Sequence, residues 1–293
     1  MKIGIAGTGK MGTAIAARLK SVGHELLVWN RTEAKAQAAM ALGAIWCPTA
    51  RDLIQQSDIV ICLLTNEQAL DDVYFSANGL LSAPAPGKLI IEMSTVSPDK
   101  QAVMAEKASK VGVKYLECPV GGSIGPAKEG KLIGFVGGSA EDLAMAKPLL
   151  EQMCKRVEHV GNHGAGSMMK LAINLPLLVY WHTFAEALSL IQPLGLDPKR
   201  VVDIFSETSG GPNLLKTRGP LIAQTLIDGE AATINGSLNT VIKDMFAMKT
   251  HAQTLGRKLP LTELAITYLQ KSANDGLGEA DSAEHLVQWL KNP

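Results

Sequence analysis

The chain has no excess of charge of either sign, with 28 Lys and Arg against 28 Asp and Glu. That removes the electrostatic footprint expected of a nucleic-acid binder or of a protein drawn to anionic membranes. Cysteine is scarce, and Cys47, Cys62, Cys118 and Cys154 stand far apart without metal or redox spacing. They read as reduced thiols of a cytoplasmic protein rather than a disulfide framework. The histidines do not cluster, and His163 and His182 lack the spacing of a metal pair, so no metal site is expected. No Ser/His/Asp or Cys/His set can be argued from the order of residues. Long apolar runs are missing too. The first is too short for a signal peptide and leads straight into a glycine turn. The most apolar helical stretch, residues 168–194, carries Lys170, His182 and Glu186, which argues against a membrane span. There is no internal repeat. At 293 residues, what is left is a globular chain long enough for two domains.

What is present begins at once. The apolar run Ile3-Gly4-Ile5-Ala6 has strand character, and Gly7-Thr8-Gly9-Lys10-Met11-Gly12 follows it. An alanine-rich helical stretch (13–21) and a second apolar run, Leu26-Leu27-Val28-Trp29, complete a βαβ unit. Gly7 allows the tight turn, Gly9 lets backbone approach a pyrophosphate, and Gly12 lets the helix pack on the strand. The helix N-terminus then offers N–H groups and a positive dipole end to phosphates. Position 30, where a carboxylate would bind a ribose 2′-hydroxyl, opens Asn30-Arg31-Thr32 instead. No carboxylate repels a 2′-phosphate there, and the Arg31 fork can bind one, so NADP is expected over NAD.

Strand-like and helical stretches alternate to about residue 160. Expected strands are 59–64, 88–93, 114–117, 132–136 and 156–160; expected helices are 33–42, 50–56, 68–75, 98–111 and 140–154. This alternation predicts a doubly wound α/β sheet with a Rossmann half at its start. After the glycine-rich 161–166 segment no convincing strand follows. A long helix over 167–194 and five shorter ones predict an all-helical second domain joined to the first by that long helix. The expected domains are 1–162 and 163–293.

Lys170 and Asn174 are four apart and share one face of the long helix, expected at an interdomain cleft. Lys170 can donate a proton to an oxygen receiving a hydride, and Asn174 can orient it; alone, such a Lys also fits a solvated charge. Gly121, Gly122 and Ser123 follow a strand and suit a carboxylate nest, or an ordinary glycine loop. Leu64-Thr65, Ser94-Thr95 and, far downstream, Lys243-Asp244 are placed at the same edge, where such sheets bind ligands.

Together these motifs resemble the β-hydroxyacid dehydrogenase family, over nearly the whole chain. The family includes 3-hydroxyisobutyrate dehydrogenases and glyoxylate or succinic semialdehyde reductases. Its G-x-G-x-M-G is Gly7 to Gly12 with Met11 matching, its Asn-Arg-Thr is residues 30–32, and its S-T is Ser94-Thr95. Its G-x-G-x-x-x-K is met by Gly164, Gly166 and Lys170, with Asn174 beyond, and its late K-D is Lys243-Asp244. The resemblance implies that Lys170 is the general acid/base supported by Asn174. It implies that Gly7, Thr8, Gly9, Lys10, Met11, Gly12, Asn30, Arg31, Thr32, Leu64, Thr65, Thr95 and Lys243 hold NADP. Ser94 and the 121–123 loop would hold a small carboxylate-bearing substrate, a short hydroxy acid or its semialdehyde. It also implies a homodimer or homotetramer. Two departures stand out: Gly121 occupies the family's Ser position with Ser123 at its Gly, and Ile173 replaces one of two Asn. Imine reduction is the near rival, in a group that replaces the Lys; a non-catalytic NADP sensor is the rival of another class.

Overall fold

A computed structural model describes residues 1–291, so the last two residues of the expected second domain lie outside it. The chain divides into two compact units, Met1–Lys170 and Leu171–Pro293. The division falls inside a helix whose first turn is hydrogen-bonded to the sheet.

The first unit alternates strand and helix as expected: β1 (Lys2–Ala6), α1 (Lys10–Ser21), β2 (Glu25–Trp29), α2 (Gln37–Met40), β3 (Ile45–Trp46), α3 (Ala50–Gln56), β4 (Ile59–Cys62), α4 (Glu67–Phe75), β5 (Leu89–Glu92), α5 (Pro98–Lys110) and β6 (Lys114–Glu117). These strands pair in the order β3-β2-β1-β4-β5-β6, all parallel. Then come β7 (Val120–Gly121), α6 (Ile124–Glu129), β8 (Leu132–Gly137), α7 (Ala140–Met153) and β9 (Cys154–Gly161). Here the winding changes: β8 runs antiparallel to β6 and β7, and β9 pairs parallel with β8. β3 and β7 were not anticipated, since two-residue strands carry no periodicity to read.

Strand alternation sorts the core onto two faces. Ile3, Ile5, Val28, Ile59, Ile61 and Leu116 pack on one side, and Leu27, Val60, Cys62, Ile90 and Tyr115 on the other. Every residue of β4 and β5 is buried, as helices on both faces require. Local caps start the helices crisply: Thr49, Asn66, Ser97 and Ser139 each accept an N–H from the third residue onward. α1 differs, its cap being Gly9 with no side-chain bond.

At the C-terminal ends of the strands, Trp29, Ala6, Cys62, Glu92, Glu117 and Gly137 stand in one register row across the sheet. Two of them are carboxylates with no exposed surface.

α8 (Ala165–Ile191) runs on through Pro176 into the second unit, followed by α9 (Pro198–Ser206), α10 (Asn213–Asp228), α11 (Leu238–Thr254), α12 (Pro260–Ser272) and α13 (Glu284–Lys291). Among the described residues after β9 there is no strand, as expected. Trp181, Phe184, Val202 and Ile222 centre one apolar cluster; Leu178, Met245, Ile266 and Leu269 centre another. Buried Asp281 accepts from Arg218 at 2.5 Å and from the Asn235 N–H at 2.7 Å, which fastens the segment leading into α11.

Glu92 accepts the Ser94 N–H at 2.8 Å and the Tyr74 hydroxyl at 2.7 Å. Burial nevertheless lifts its carboxyl from 4.5 to about 7, the hydrogen bonds opposing the rise. The folded chain therefore holds this proton more tightly than the unfolded one. Its contribution to stability is complete below 4.5 and is lost as pH rises through about 7. Glu92→Gln keeps the shape, still accepts from Ser94 and can donate to Tyr74. Between about pH 5 and 8 it should gain on the native chain by on the order of a few kcal/mol. Urea midpoints at the two pH values test this; parallel curves for the two proteins would reject it.

Candidate functional site

The glycine turn after β1 is built by sterics. Gly7 has φ +97°, and a Cβ there would stand 2.1 Å from the Leu63 carbonyl oxygen. A Cβ on Gly12 would stand 2.0 Å from the Gly7 oxygen, so α1 can lie against the turn only as glycine. Gly9 is the opposite case: a Cβ there would meet nothing within 4 Å. The space kept open lies at the start of α1, which has no side-chain cap and no acidic residue in its first turn. Its first N–H groups have no partner within the helix. The positive end of the dipole also points there. This is a cradle for an anion, and the bareness of Gly9 fits a pyrophosphate of a dinucleotide.

Asn30 closes the cradle from β2. Its Oδ1 accepts the Thr8 N–H at 3.2 Å while its Nδ2 donates to the Thr32 carbonyl at 2.8 Å. A carboxylate could accept the first bond but not donate the second, so the amide has a structural reason to stand here. The Thr8 hydroxyl donates to the Lys35 carbonyl at 3.0 Å and pins the far side. Arg31 is 79% exposed, with the Asp72 carboxylate 3.8 Å away. Lys10 is exposed at the start of α1, with Met11 half-buried beside it.

The turns after β4 and β5 lie on the same rim. The Ser94 hydroxyl accepts the Leu64 N–H at 2.7 Å, and Ser94 is buried. The hydroxyl thus braces the Leu64 turn through one lone pair and keeps its own O–H to donate. Thr65 is exposed and Thr95 half-buried, one on each of these turns.

Beyond β6 the expected nest is only partly a loop. Gly121 pairs with Ile133 in β7, so the open segment starts at Gly122, whose φ is +123°. Ser123 is exposed and precedes α6 without capping it by its side chain. The Gly164-x-Gly166 element serves docking. Gly164 has φ +98°, and a Cβ on Gly166 would stand 2.4 Å from the Phe135 carbonyl oxygen. Glu117 meets the start of α8 there: Oε1 accepts the Gly166 N–H at 2.8 Å, and Oε2 accepts the Ser167 hydroxyl at 3.0 Å and its N–H at 3.3 Å. Lys170 follows within the next turn of α8, half-buried, and Asn174 is buried one turn further on. In the second unit, Lys243 on α11 has Nζ 2.9 Å from Asp244. Among the described residues no three His, Cys, Asp or Glu converge as metal ligands.

Sequence reasoning singled out neither Glu92 nor Glu117. The signal was there: each ends an apolar strand, Leu89-Ile90-Ile91-Glu92 and Tyr115-Leu116-Glu117, where a buried carboxylate is the informative anomaly.

Comparison with known proteins agrees with this geometry. A family model for the NAD binding domain of 6-phosphogluconate dehydrogenase matches residues 2–161. One for NAD-binding of NADP-dependent 3-hydroxyisobutyrate dehydrogenase matches residues 164–289. The chain is 31% identical to NAD-dependent L-serine dehydrogenase of Pseudomonas aeruginosa, over all of this chain and 98% of the relative. It is 31% identical to 2-hydroxy-3-oxopropionate reductase of Escherichia coli, over 99% of this chain and 97% of the relative. Among solved structures, Mycobacterium tuberculosis 3-hydroxyisobutyrate dehydrogenase with L-serine superposes with a TM-score of 0.82, at 26% identity over 98% of each chain.

The open space at Gly9 makes a direct test of the cradle. Gly9 has an ordinary φ of −66°, so Gly9→Ala should leave the urea midpoint where it is. It should weaken nicotinamide dinucleotide binding by about tenfold or more, since the methyl fills the ligand's space. Titration calorimetry measures this, and native affinity in the variant would show that the space is not the phosphate site.

Proposed function

We propose that this chain, which belongs to the β-hydroxyacid dehydrogenase family, uses NADP(H) to interconvert a short β-hydroxy acid and its semialdehyde. The observation that carries the reading is Lys170 on a helix docked at the same strand ends as the nucleotide cradle, both within the first unit. The names of the relatives support the substrate class: serine, 3-hydroxyisobutyrate and 2-hydroxy-3-oxopropionate are all three- or four-carbon acids oxygenated at the β-carbon.

When bound, the dinucleotide supplies or takes up a hydride at its nicotinamide ring. The chain's own part is binding, orientation and one proton. The N–H groups at the start of α1 and the 8–12 turn hold the pyrophosphate. Leu64, Thr65 and Thr95 border the nicotinamide side, and Lys243 is assigned to the cofactor by family resemblance. The Lys170 ammonium gives a proton from Nζ to the carbonyl oxygen in reduction, and the neutral amine takes it back in oxidation. The Asn174 amide orients that exchange, and Gly122 and Ser123 hold the substrate carboxylate through backbone N–H groups.

NADP preference rests on Arg31. Its present partner, Asp72, is 47% exposed, and exposed ion pairs are worth about 0–1 kcal/mol. A 2′-phosphate offers a stronger, bidentate partner and displaces Asp72 easily. Four free, buried cysteines support a cytoplasmic location. Leu190, Leu194, Leu261 and Leu264, exposed on the helical unit, support self-association into a dimer or tetramer.

The deciding assay is NADPH oxidation with glyoxylate, succinic semialdehyde, tartronate semialdehyde and methylmalonate semialdehyde. Turnover of none, with NADPH bound tightly, would favour a nucleotide sensor. Lys170→Ala should keep NADPH affinity and lose turnover by about 10²- to 10⁴-fold; undiminished kcat would remove Lys170 from the chemistry. Arg31→Ala should weaken NADPH by about tenfold or more and NADH little. Equal losses would reject Arg31 as the 2′-phosphate ligand.

A further inference from the structure

We propose that Glu117 is a positioning residue for this reaction. Its buried carboxylate ties the first turn of α8 to the stem of the 119–123 segment, and so sets where the Lys170 ammonium stands relative to the segment that receives the substrate. The proposal rests on the reading of Lys170 as acid/base.

Four helices of the first unit are capped by a side chain three residues before the N–H it accepts. Such a cap stabilises a helix but says nothing about where the helix lies. α8 is held otherwise. Its Gly166 and Ser167 N–H groups and the Ser167 hydroxyl reach a carboxylate 49 and 50 residues away, at the end of a sheet strand. The slot is walled by glycine: a Cβ on Gly137 would stand 2.0 Å from Glu117 Oε1, and one on Gly166 3.2 Å from its Cδ. The same carboxylate sits two residues before Pro119, where the substrate segment begins. One group thus joins both partners of the chemistry. Burial raises the Glu117 carboxyl above its usual range, and the three donors with the positive end of the helix dipole oppose that rise.

Lys170 is three residues past Ser167, about 4.5 Å along the helix axis. At that distance a small movement of the first turn is passed on nearly whole. A misplacement of about 1 Å is worth about 10²-fold in rate.

Glu117→Gln keeps the volume and one acceptor for Gly166 but turns a donor toward the Ser167 N–H. Glu117→Asp keeps the charge and both acceptors, one methylene short. In amide exchange, Gly166 and Ser167 should lose protection by about tenfold in Glu117→Gln. With the best semialdehyde its kcat should fall by about 10- to 100-fold. NADPH Kd should hardly change, the thermal midpoint should fall by about a few degrees for the buried donor–donor contact, and Glu117→Asp should recover part of the kcat. Native kcat in a folded Glu117→Gln would overturn the proposal. So would kcat, NADPH Kd and thermal midpoint falling together without recovery in Glu117→Asp, the mark of a purely structural residue. If the native chain turns over none of the semialdehydes, the functional reading fails by itself. The exchange measurement still decides the clamp, and unchanged protection at Gly166 and Ser167 would sink it.

Discussion

A carboxylate buried in a protein costs several kcal/mol in lost hydration unless fixed partners replace the water. Glu117 meets that condition in one way, by receiving the N–H groups and hydroxyl at the start of α8. The constraint runs in both directions. The helix must dock where the carboxylate is, and everything around the contact must make room. Gly137, Gly164 and Gly166 are the room: side chains at these positions would strike Glu117, the Pro98 carbonyl or the Phe135 carbonyl. The Gly-x-Gly ahead of Lys170 is therefore a docking element, and the chemistry it is associated with comes second.

Its neighbour in the same register row organises the turns after β4 and β5. Glu92 gathers the Tyr74 hydroxyl and the Ser94 N–H, and the Ser94 hydroxyl in turn takes the Leu64 N–H. Two adjacent strands thus end in buried carboxylates, each organising a turn that a parallel sheet presents at its ligand-binding edge. Burial raises both carboxyls, hydrogen bonds oppose the rise in each, and Glu117 adds a smaller upward push on Glu92. Asn30 adds a third brace, one whose donor and acceptor are both used, so its identity follows from geometry as much as from the choice of cofactor.

Much of this protein was legible before folding was considered. The glycines at 7, 9 and 12 sit between two apolar runs; Gly7 and Gly12 have the steric reason inferred for them, and a Cβ on Gly9 would meet nothing within 4 Å. The strands expected at 59–64 and 88–93 are β4 and β5, buried on both faces. The loss of alternation after residue 161 marks the helical unit. What escaped notice was short or distant. β3 and β7 have two residues each, and the reversal of β8 leaves no trace in its own periodicity. The bond that ties Ser94 to Leu64, thirty residues back, leaves no mark in the residues around either.

The sequence by itself determined the alternating sheet, the glycine turn, the helical second unit and the family pattern of Lys170 and Asn174. Each is written in local periodicity or in the steric freedom of single residues, which act over a few positions along the chain. Only the tertiary structure decided that Ser94 braces a neighbouring turn, that Gly121 is a strand residue, and that Glu117 seats the helix bearing Lys170. Those outcomes depend on which strand ends fall into register, a relation between segments that for Glu117 lie 49 and 50 residues apart. No short-range pattern encodes it, because it exists only after the sheet has formed.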